Sequence, residues 1–106
     1  MLVSEKIELE VGYIEFHQAV DFADIHHIEI SPEFHNQGYG TQLLNTFLND
    51  MKHRGVKDVT LEVRVDNYNA IHLYEKFGFK VVGNRKGYYQ GIDGLLMKLE
   101  LLNTEN

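Results

Sequence analysis

The sequence predicts an α/β (α+β) fold in which a mixed, mostly antiparallel central sheet is flanked by two helices. Strand-type segments fill the first thirty residues, two later segments carry apolar residues at helical spacing, and further strand-type segments lie between and after them. With 106 residues, 43% of them hydrophobic, the chain is long enough to form one core. We therefore predict a single domain over residues 1–106, in the order β-β-β-α-β-α-β-β.

Three strands are predicted at the start of the chain. Their β-rich segments run from Met1 to Ser4, from Val11 to Gln18 and from Asp24 to Ile30. The breaks at residues 6–8 and 21–23 suit antiparallel connections. Pro32 has no N–H to donate and restricts the residue before it, so we expect the third strand to end there.

The most regular helical pattern lies between Gly40 and Arg54. Its apolar side chains recur three or four residues apart, at Leu43, Leu44, Phe47, Leu48 and Met51. A basic last turn precedes Gly55, and glycine readily adopts the left-handed conformation that ends helices. These features predict the first helix and its end.

The segment from Val59 to Val65 alternates strictly between apolar and polar residues, which predicts a strand with Thr60, Glu62 and Arg64 on one face. A second, shorter helix follows, with Asn67 as its cap and Gly78 as its stop. Its apolar stripe consists of Ala70, Leu73, Tyr74 and Phe77.

Two closing strands are predicted at Phe79 to Gly83 and at Leu95 to Leu102. A loop rich in glycine and tyrosine, from Gly87 to Gly91, would join them.

Composition excludes several functional classes. A formal net charge of -6 opposes binding to nucleic acids and to anionic membranes. The absence of cysteine excludes disulfides, thiolate metal sites and a cysteine nucleophile. Since no segment approaches the roughly 20 apolar residues of a membrane span, we expect a cytoplasmic protein.

The turn Gly38-Tyr39-Gly40 lies between the end of a strand and the start of the first helix. Free N–H groups and the helix dipole favour an anion at such a position, and glycine permits its close approach. Turn geometry alone is the commoner reason for a glycine pair. The pattern also lacks the third glycine of a dinucleotide fingerprint and the Gly-Lys-Ser/Thr of a P-loop.

The wider sequence makes this turn more specific. The segment from Ile28 to Leu44 resembles the acetyl-CoA motif of the GNAT superfamily of N-acetyltransferases. Leu61 to Arg64 and Asn67 to Phe79 are similar to the second cofactor-side motif of that superfamily. The likeness is greatest to the ribosomal-protein-alanine N-acetyltransferases. It implies a GNAT-like sheet and a reaction that uses acetyl-CoA and no metal.

The resemblance also implies where acetyl-CoA binds. Backbone groups of Ile28, Glu29 and Ile30 would face the pantetheine and the acetyl group. The pyrophosphate would be surrounded by Asn36, Gln37, Gly38, Tyr39, Gly40 and Thr41, and Asn67 would also contact the cofactor. His35 stands where the family usually has Gln or Arg. A neutral imidazole still donates one hydrogen bond but lacks the fixed charge of Arg.

Two residues match catalytic positions of the family. Glu62 matches the general base that removes a proton from the attacking amine, and Tyr74 matches the acid that protonates the departing CoA thiolate. Without the motif, Glu62 would be interpreted as a solvated residue on a strand face. Tyr74 can also pack the second helix against the sheet, and both roles are compatible for a tyrosine.

Aromatic and histidine residues leave alternatives open. Tyr88 and Tyr89, in the predicted hairpin loop, either line the channel of an acceptor peptide or are partly exposed turn residues. His26 and His27 are adjacent on a predicted strand and should point to opposite faces, so we expect no metal site there.

The family normally has a strand and two helices before the point that matches the start of this chain. Their absence would leave apolar sheet surface uncovered, and we expect a homodimer to cover it. Three functions remain open. These are acetylation of a protein N-terminal α-amine, acetylation of a small amine, and binding of acyl-CoA without catalysis.

Overall fold

The computed structural model describes residues 3–35 and 37–101, and in them six strands and two helices follow one another in the predicted order. The strands are β1 (Val3–Leu9), β2 (Gly12–Ala19), β3 (Phe22–Ile30), β4 (Asp58–Arg64), β5 (Lys80–Tyr89) and β6 (Ile92–Glu100). The helices are α1 (Tyr39–His53) and α2 (Tyr68–Lys76), and a short 3₁₀ turn at Pro32–Phe34 follows β3.

All six strands form one sheet in the spatial order β1-β2-β3-β4-β6-β5. Every neighbouring pair is antiparallel except β3 and β4, which confirms the predicted mixed, mostly antiparallel sheet. The parallel pair is short, because Phe22, Ala23 and Asp24 pair with residues 58–60 and the two strands then separate.

The core lies between the two helices and one face of the sheet. The apolar stripe predicted for α1 is buried, and Phe47 packs edge-on against Phe16 of β2 with ring centroids 5.0 Å apart. Tyr74 of α2 joins the same core. Both described helices therefore cover one face, and the opposite face of the sheet is called the helix-free face below.

The first strand differs from the prediction. β1 continues through the predicted break at residues 6–8, because Ile7 and Leu9 alternate with exposed residues and lie opposite Ile14 and Gly12 of β2. The side chains of Ile7 and Leu9 are half-buried and pack against the core. A strand that ended at Ser4 would not have placed them there. Met1 lies outside the described residues.

The closing hairpin also differs. β5 extends to Tyr89, so Tyr88 and Tyr89 lie at the end of a strand instead of in a loop, and the turn itself is Gln90-Gly91. Both turn residues have positive φ, which suits a tight connection between antiparallel strands. The predicted end of β6 at Leu102 falls outside the described residues.

The helix-free face does not match the expected uncovered apolar surface. Phe22 and Leu96 are apolar residues of this face, but its side chains are largely polar or charged: Lys6, Glu8, Tyr13, Glu15, His17, Asp24, His27, Glu29, Thr60, Glu62 and Lys98. The homodimer therefore stays a prediction without this support. Within residues 3–35 and 37–101, no helix is long and apolar enough to cross a membrane.

Candidate active site at the separating strands

A cavity of about 600 Å³ opens on the sheet beside the point where β3 and β4 separate. We call it the sheet cavity. It is lined by Asp24, Ile25, His26, Thr60, Leu61, Glu62, Val82, Arg85, Tyr88, Tyr89, Leu96 and Met97. Glu62 and the tyrosine pair, three of the residues predicted from the sequence, are thus brought together here.

Glu62 reaches this cavity because β4 alternates as predicted, with Leu61 and Val63 buried in the core. Its side chain is 18% exposed, and Nη2 of Arg85 lies 3.2 Å from its Oε1. The other oxygen, Oε2, is buried and has no hydrogen-bond partner among the described residues. A buried carboxylate oxygen without a partner is costly, so this atom would gain from a hydrogen-bond donor that came within reach.

The tyrosine pair forms a second wall of the sheet cavity. The rings of Tyr88 and Tyr89 meet edge-on with centroids 5.0 Å apart, and the guanidinium of Arg85 lies 4.2 Å above the ring of Tyr88. Burial, and after it the negative charge of Glu62, raise the pKa of Tyr89. The phenol of Tyr89 therefore stays available as a neutral donor at neutral pH.

Two residues of this site were missed in the sequence. Arg85 pairs with Glu62, and Gly94 of β6 leaves the space that the carboxylate occupies. A Cβ on Gly94 would overlap Oε2 of Glu62 and lie 3.0 Å from a ring carbon of Tyr89. Both roles depend on how β4, β5 and β6 pair, and no local pattern at either residue indicates that register.

A second cavity, of about 390 Å³, lies at the start of α1. We call it the helix cavity. It is lined by Ile30, Phe34, His35, Gly38, Tyr39, Gly40, Asn67, Asn69, Ala70 and Leu73. Five residues predicted to contact the cofactor, Ile30, Gly38, Tyr39, Gly40 and Asn67, are therefore grouped around one space.

The start of α1 suits a phosphate group. Gly38 is the N-cap with φ of 80°, no side chain caps the helix, and the first turn contains no acidic residue. The free N–H groups and the positive end of the helix dipole thus face the helix cavity without a competing carboxylate in that turn. The residues present fit a pyrophosphate.

The other described residues that were predicted to contact the cofactor do not line the helix cavity. Gln37 and Thr41 are exposed and do not line the helix cavity, and the amide of Gln37 donates to the carbonyl oxygen of Glu33. Ile28 packs against the core, and the side chain of Glu29 lies on the helix-free face. Asn36 lies outside the described residues.

Asn67 and His35 organise the walls of the helix cavity. The side chain of Asn67 accepts a hydrogen bond of 3.3 Å from the N–H of Ala70 and so caps α2 as predicted. Nε2 of His35 donates to the carbonyl oxygen of Ile30 at 2.6 Å. This donor ties the 3₁₀ turn to the end of β3.

Tyr74 lies in the core and lines neither cavity. Its side chain is 8% exposed and its ring lies 5.8 Å from that of Phe79. Burial raises its pKa to about 12. The packing role considered for Tyr74 is thus present in the structure.

The prediction that His26 and His27 point to opposite faces is wrong. A β-bulge opposite Glu15 and Phe16 shifts the register, so that both rings lie on the helix-free face, His26 against His17 and His27 against Tyr13. A bulge adds one residue to a strand and thereby breaks the alternation. Among the described residues, no group of three or more His, Cys, Asp or Glu side chains could hold a metal ion.

Comparison with known proteins identifies the family. The model of the acetyltransferase (GNAT) family matches residues 7–79. A Bacillus subtilis relative is 39% identical over 98 residues, which are 91% of this chain and 65% of that protein. The ribosomal protein bS18 alanine N-acetyltransferase of Escherichia coli K12 is 39% identical over 75 residues, 71% of this chain and 51% of that enzyme.

The fold comparison agrees. The crystal structure of the ribosomal-protein-S18-alanine N-acetyltransferase from Escherichia coli superposes with a TM-score of 0.86 and 29% identity, and the match covers 99% of this chain and 73% of that one. The chain spans about half to two thirds of the length of the two sequence relatives. On the family match and these similarities, the chain belongs to the acetyltransferase (GNAT) family.

Proposed function

We propose that the chain catalyses transfer of the acetyl group of acetyl-CoA to the N-terminal α-amine of a protein. The observation that carries this proposal is the carboxylate of Glu62, which lines the sheet cavity beside the separation of β3 and β4 and has one buried oxygen without a hydrogen-bond partner among the described residues. The bS18 alanine N-acetyltransferase named above supports the choice of an α-amine over other acceptors.

Acetyl-CoA would bind as a substrate across the helix cavity. Its pyrophosphate fits the free N–H groups at the start of α1, where Gly38 and Gly40 allow close approach. Beyond Asp24, β3 makes no ladder pairs with β4, so the backbone groups on that edge of β3 would bind an extended pantetheine. Asn67 would add a side-chain contact from the cap of α2.

The acceptor amine would enter the sheet cavity. Its nitrogen attacks the thioester carbonyl carbon, a C–N bond forms, and the C–S bond breaks to release the CoA thiolate. Glu62 takes a proton from the attacking nitrogen. The resemblance to the family adds Tyr74, whose ring packs in the core, as the donor to the leaving thiolate. The tyrosine pair would flank the peptide that carries the amine.

Arg85 would position the base in this mechanism. It holds Oε1 of Glu62 at 3.2 Å and so fixes the orientation of the carboxylate. Its stacking on Tyr88 also fixes the wall that contacts the acceptor. The guanidinium of Arg85 thus positions both the carboxylate of Glu62 and the wall that would contact the acceptor.

Measurement of CoA release tests the proposed function against its alternatives. The purified chain is incubated with acetyl-CoA and, in turn, an Ala-initiated peptide, the same peptide with a blocked α-amine, and a set of polyamines and aminoglycosides. We expect release only with the free α-amine. Release of CoA with small amines alone would favour acetylation of a small amine as the function. Binding of acetyl-CoA without release of CoA for any acceptor would favour acyl-CoA binding without catalysis.

Replacing Gly94 by Ala should reduce turnover without weakening acetyl-CoA binding. The new Cβ would displace the carboxylate of Glu62, and a misplacement of about 1 Å costs on the order of 100-fold in rate. The check is kcat for the Ala-initiated peptide together with the Kd of acetyl-CoA by calorimetry. Unchanged kcat in Gly94→Ala would contradict the assigned position of Glu62.

A further inference from the structure

A cluster of polar side chains lies on the helix-free face where β3 and β4 separate. Asp24 and Thr60 form the last paired position of the two strands, and Oγ1 of Thr60 donates to Oδ1 of Asp24 at 2.6 Å. This hydrogen bond fixes the carboxylate at the rim of the sheet cavity, which both residues line.

His26 completes the cluster because of the β-bulge in β3. Its Nε2 contacts Nδ1 of His17 on β2, and the two rings meet edge-on with centroids 4.0 Å apart. Its Nδ1 lies 3.7 Å from Oδ2 of Asp24. A contact between two imidazole nitrogens holds one hydrogen, so when His26 donates to His17 its Nδ1 is left as an acceptor.

His26 and Glu62 occupy corresponding places on the two diverging strands. Each lies two residues beyond the last pair, Asp24 with Thr60, and each lines the sheet cavity. An amine that enters between the strands would therefore have an imidazole on the side of β3 and a carboxylate on the side of β4.

The reaction needs more than one proton acceptor. An α-amine enters as an ammonium, and two protons must leave its nitrogen before it becomes an amide. One is lost before attack, because the ammonium has no lone pair, and the other is lost as the C–N bond forms. Imidazole ionises closer to an α-amine than a carboxylate does, which makes it the better partner for the first transfer.

We propose that His26, oriented by His17 and Asp24, is the proton acceptor that converts the incoming ammonium into the attacking amine. This inference rests on the proposed function. The proton passes from the ammonium nitrogen to Nδ1 of His26, and the resulting imidazolium is stabilised by the carboxylate of Asp24. The proton then passes from His26 to solvent, because the side chain of His26 is 40% exposed. Glu62 receives the second proton during attack.

Other titratable groups surround this imidazole. From β2 it is faced by His17 and from β3 by Asp24. The remaining titratable groups of the shared cavity are Glu62 on β4 and Arg85, Tyr88 and Tyr89 on β5. Asp24 contacts His26, whereas Glu62 is paired with Arg85.

The pH dependence of kcat/KM tests this assignment. The substitution is His26→Gln, measured with the Ala-initiated peptide and saturating acetyl-CoA. In the variant only an amine that is already neutral can react, so we expect the acid limb to move to higher pH by roughly one unit, towards the titration of a free α-amine. Well above about pH 8 the variant should approach the wild-type rate, since the amine is then neutral in solution.

The chain offers a matched control in His27→Gln. His27 is the adjacent histidine on the same face, but it is paired with Glu29 and does not line the sheet cavity. Its substitution should leave the acid limb in place, whereas His17→Gln should move it in the same direction as His26→Gln by a smaller amount.

An acid limb unmoved in both His26→Gln and His17→Gln would overturn the proposal, as would an equal loss at every pH. Circular dichroism checks folding, and if one variant is unfolded the other carries the test. Absence of transfer by the wild-type chain to every acceptor would instead refute the proposed function, and this inference with it.

Discussion

Replacing Glu62 by Gln is expected to lower kcat for acetyl transfer by about 100- to 10,000-fold, the range that loss of a general base usually costs. Glutamine keeps the size of the side chain and can still contact Arg85, but it cannot accept the proton released as the C–N bond forms. The Kd of acetyl-CoA should stay unchanged, because Glu62 does not line the helix cavity.

Glu8→Gln serves as the control for this prediction. Glu8 is an exposed carboxylate on the same face of the sheet, in the edge strand β1, and it does not line the sheet cavity. Its loss changes the net charge by the same amount. Equal rates for Glu62→Gln and Glu8→Gln, measured as initial rates of CoA release, would show that Glu62 is not the base.

Replacing Tyr74 by Phe is expected to lower kcat by about 10- to 100-fold, the cost of one hydrogen bond to a charged group. A pKa of about 12 means that Tyr74 holds its proton at neutral pH and is a weaker acid than a thiol. The hydroxyl therefore stabilises the thiolate chiefly as a hydrogen-bond donor. Tyr68→Phe, on the exposed side of α2, is the matched control.

The Tyr74→Phe variant should also differ from the wild type in the pH dependence of its free energy of unfolding. An unfolded tyrosine ionises near 10, whereas burial raises the pKa of folded Tyr74 to about 12. Between these values the unfolded chain binds fewer protons, so the free energy of unfolding falls with rising pH, by about 2 to 3 kcal/mol in total. Urea unfolding should show this loss in the wild type and in Tyr68→Phe, and a smaller loss in Tyr74→Phe. Identical pH profiles in all three would contradict the burial of the hydroxyl.

Features that depend on neighbouring residues were predictable from the sequence. The apolar stripe from Leu43 to Met51 defines α1, and Asn67 was recognised as the cap of α2 from its type and position. The glycine turn before α1 was predicted from its glycine pair between a strand and a helical pattern, and in the structure Gly38 is the N-cap in the left-handed conformation. Each of these signals lies within about one helical turn.

Features that depend on distant pairing were not predictable. The extent of β5, and with it the place of Tyr88, follows from its pairing with β6. The position of His26 follows from a bulge that only the register of β2 and β3 reveals. The contact between Arg85 and Glu62 joins two residues that are 23 positions apart along the chain, on strands that are both paired with β6. Local patterns specify the elements, whereas the site depends on how the strands align.

The most direct test of the central claim is to follow isotope-labelled acetyl from acetyl-CoA by mass spectrometry. The wild-type chain is incubated with labelled acetyl-CoA and an Ala-initiated peptide that also contains lysine, and the labelled nitrogen is located by fragmentation. The proposed function predicts label on the α-nitrogen of the peptide and far less of it with Glu62→Gln. Binding of acetyl-CoA without label on any nitrogen, or label on lysine alone, would contradict it.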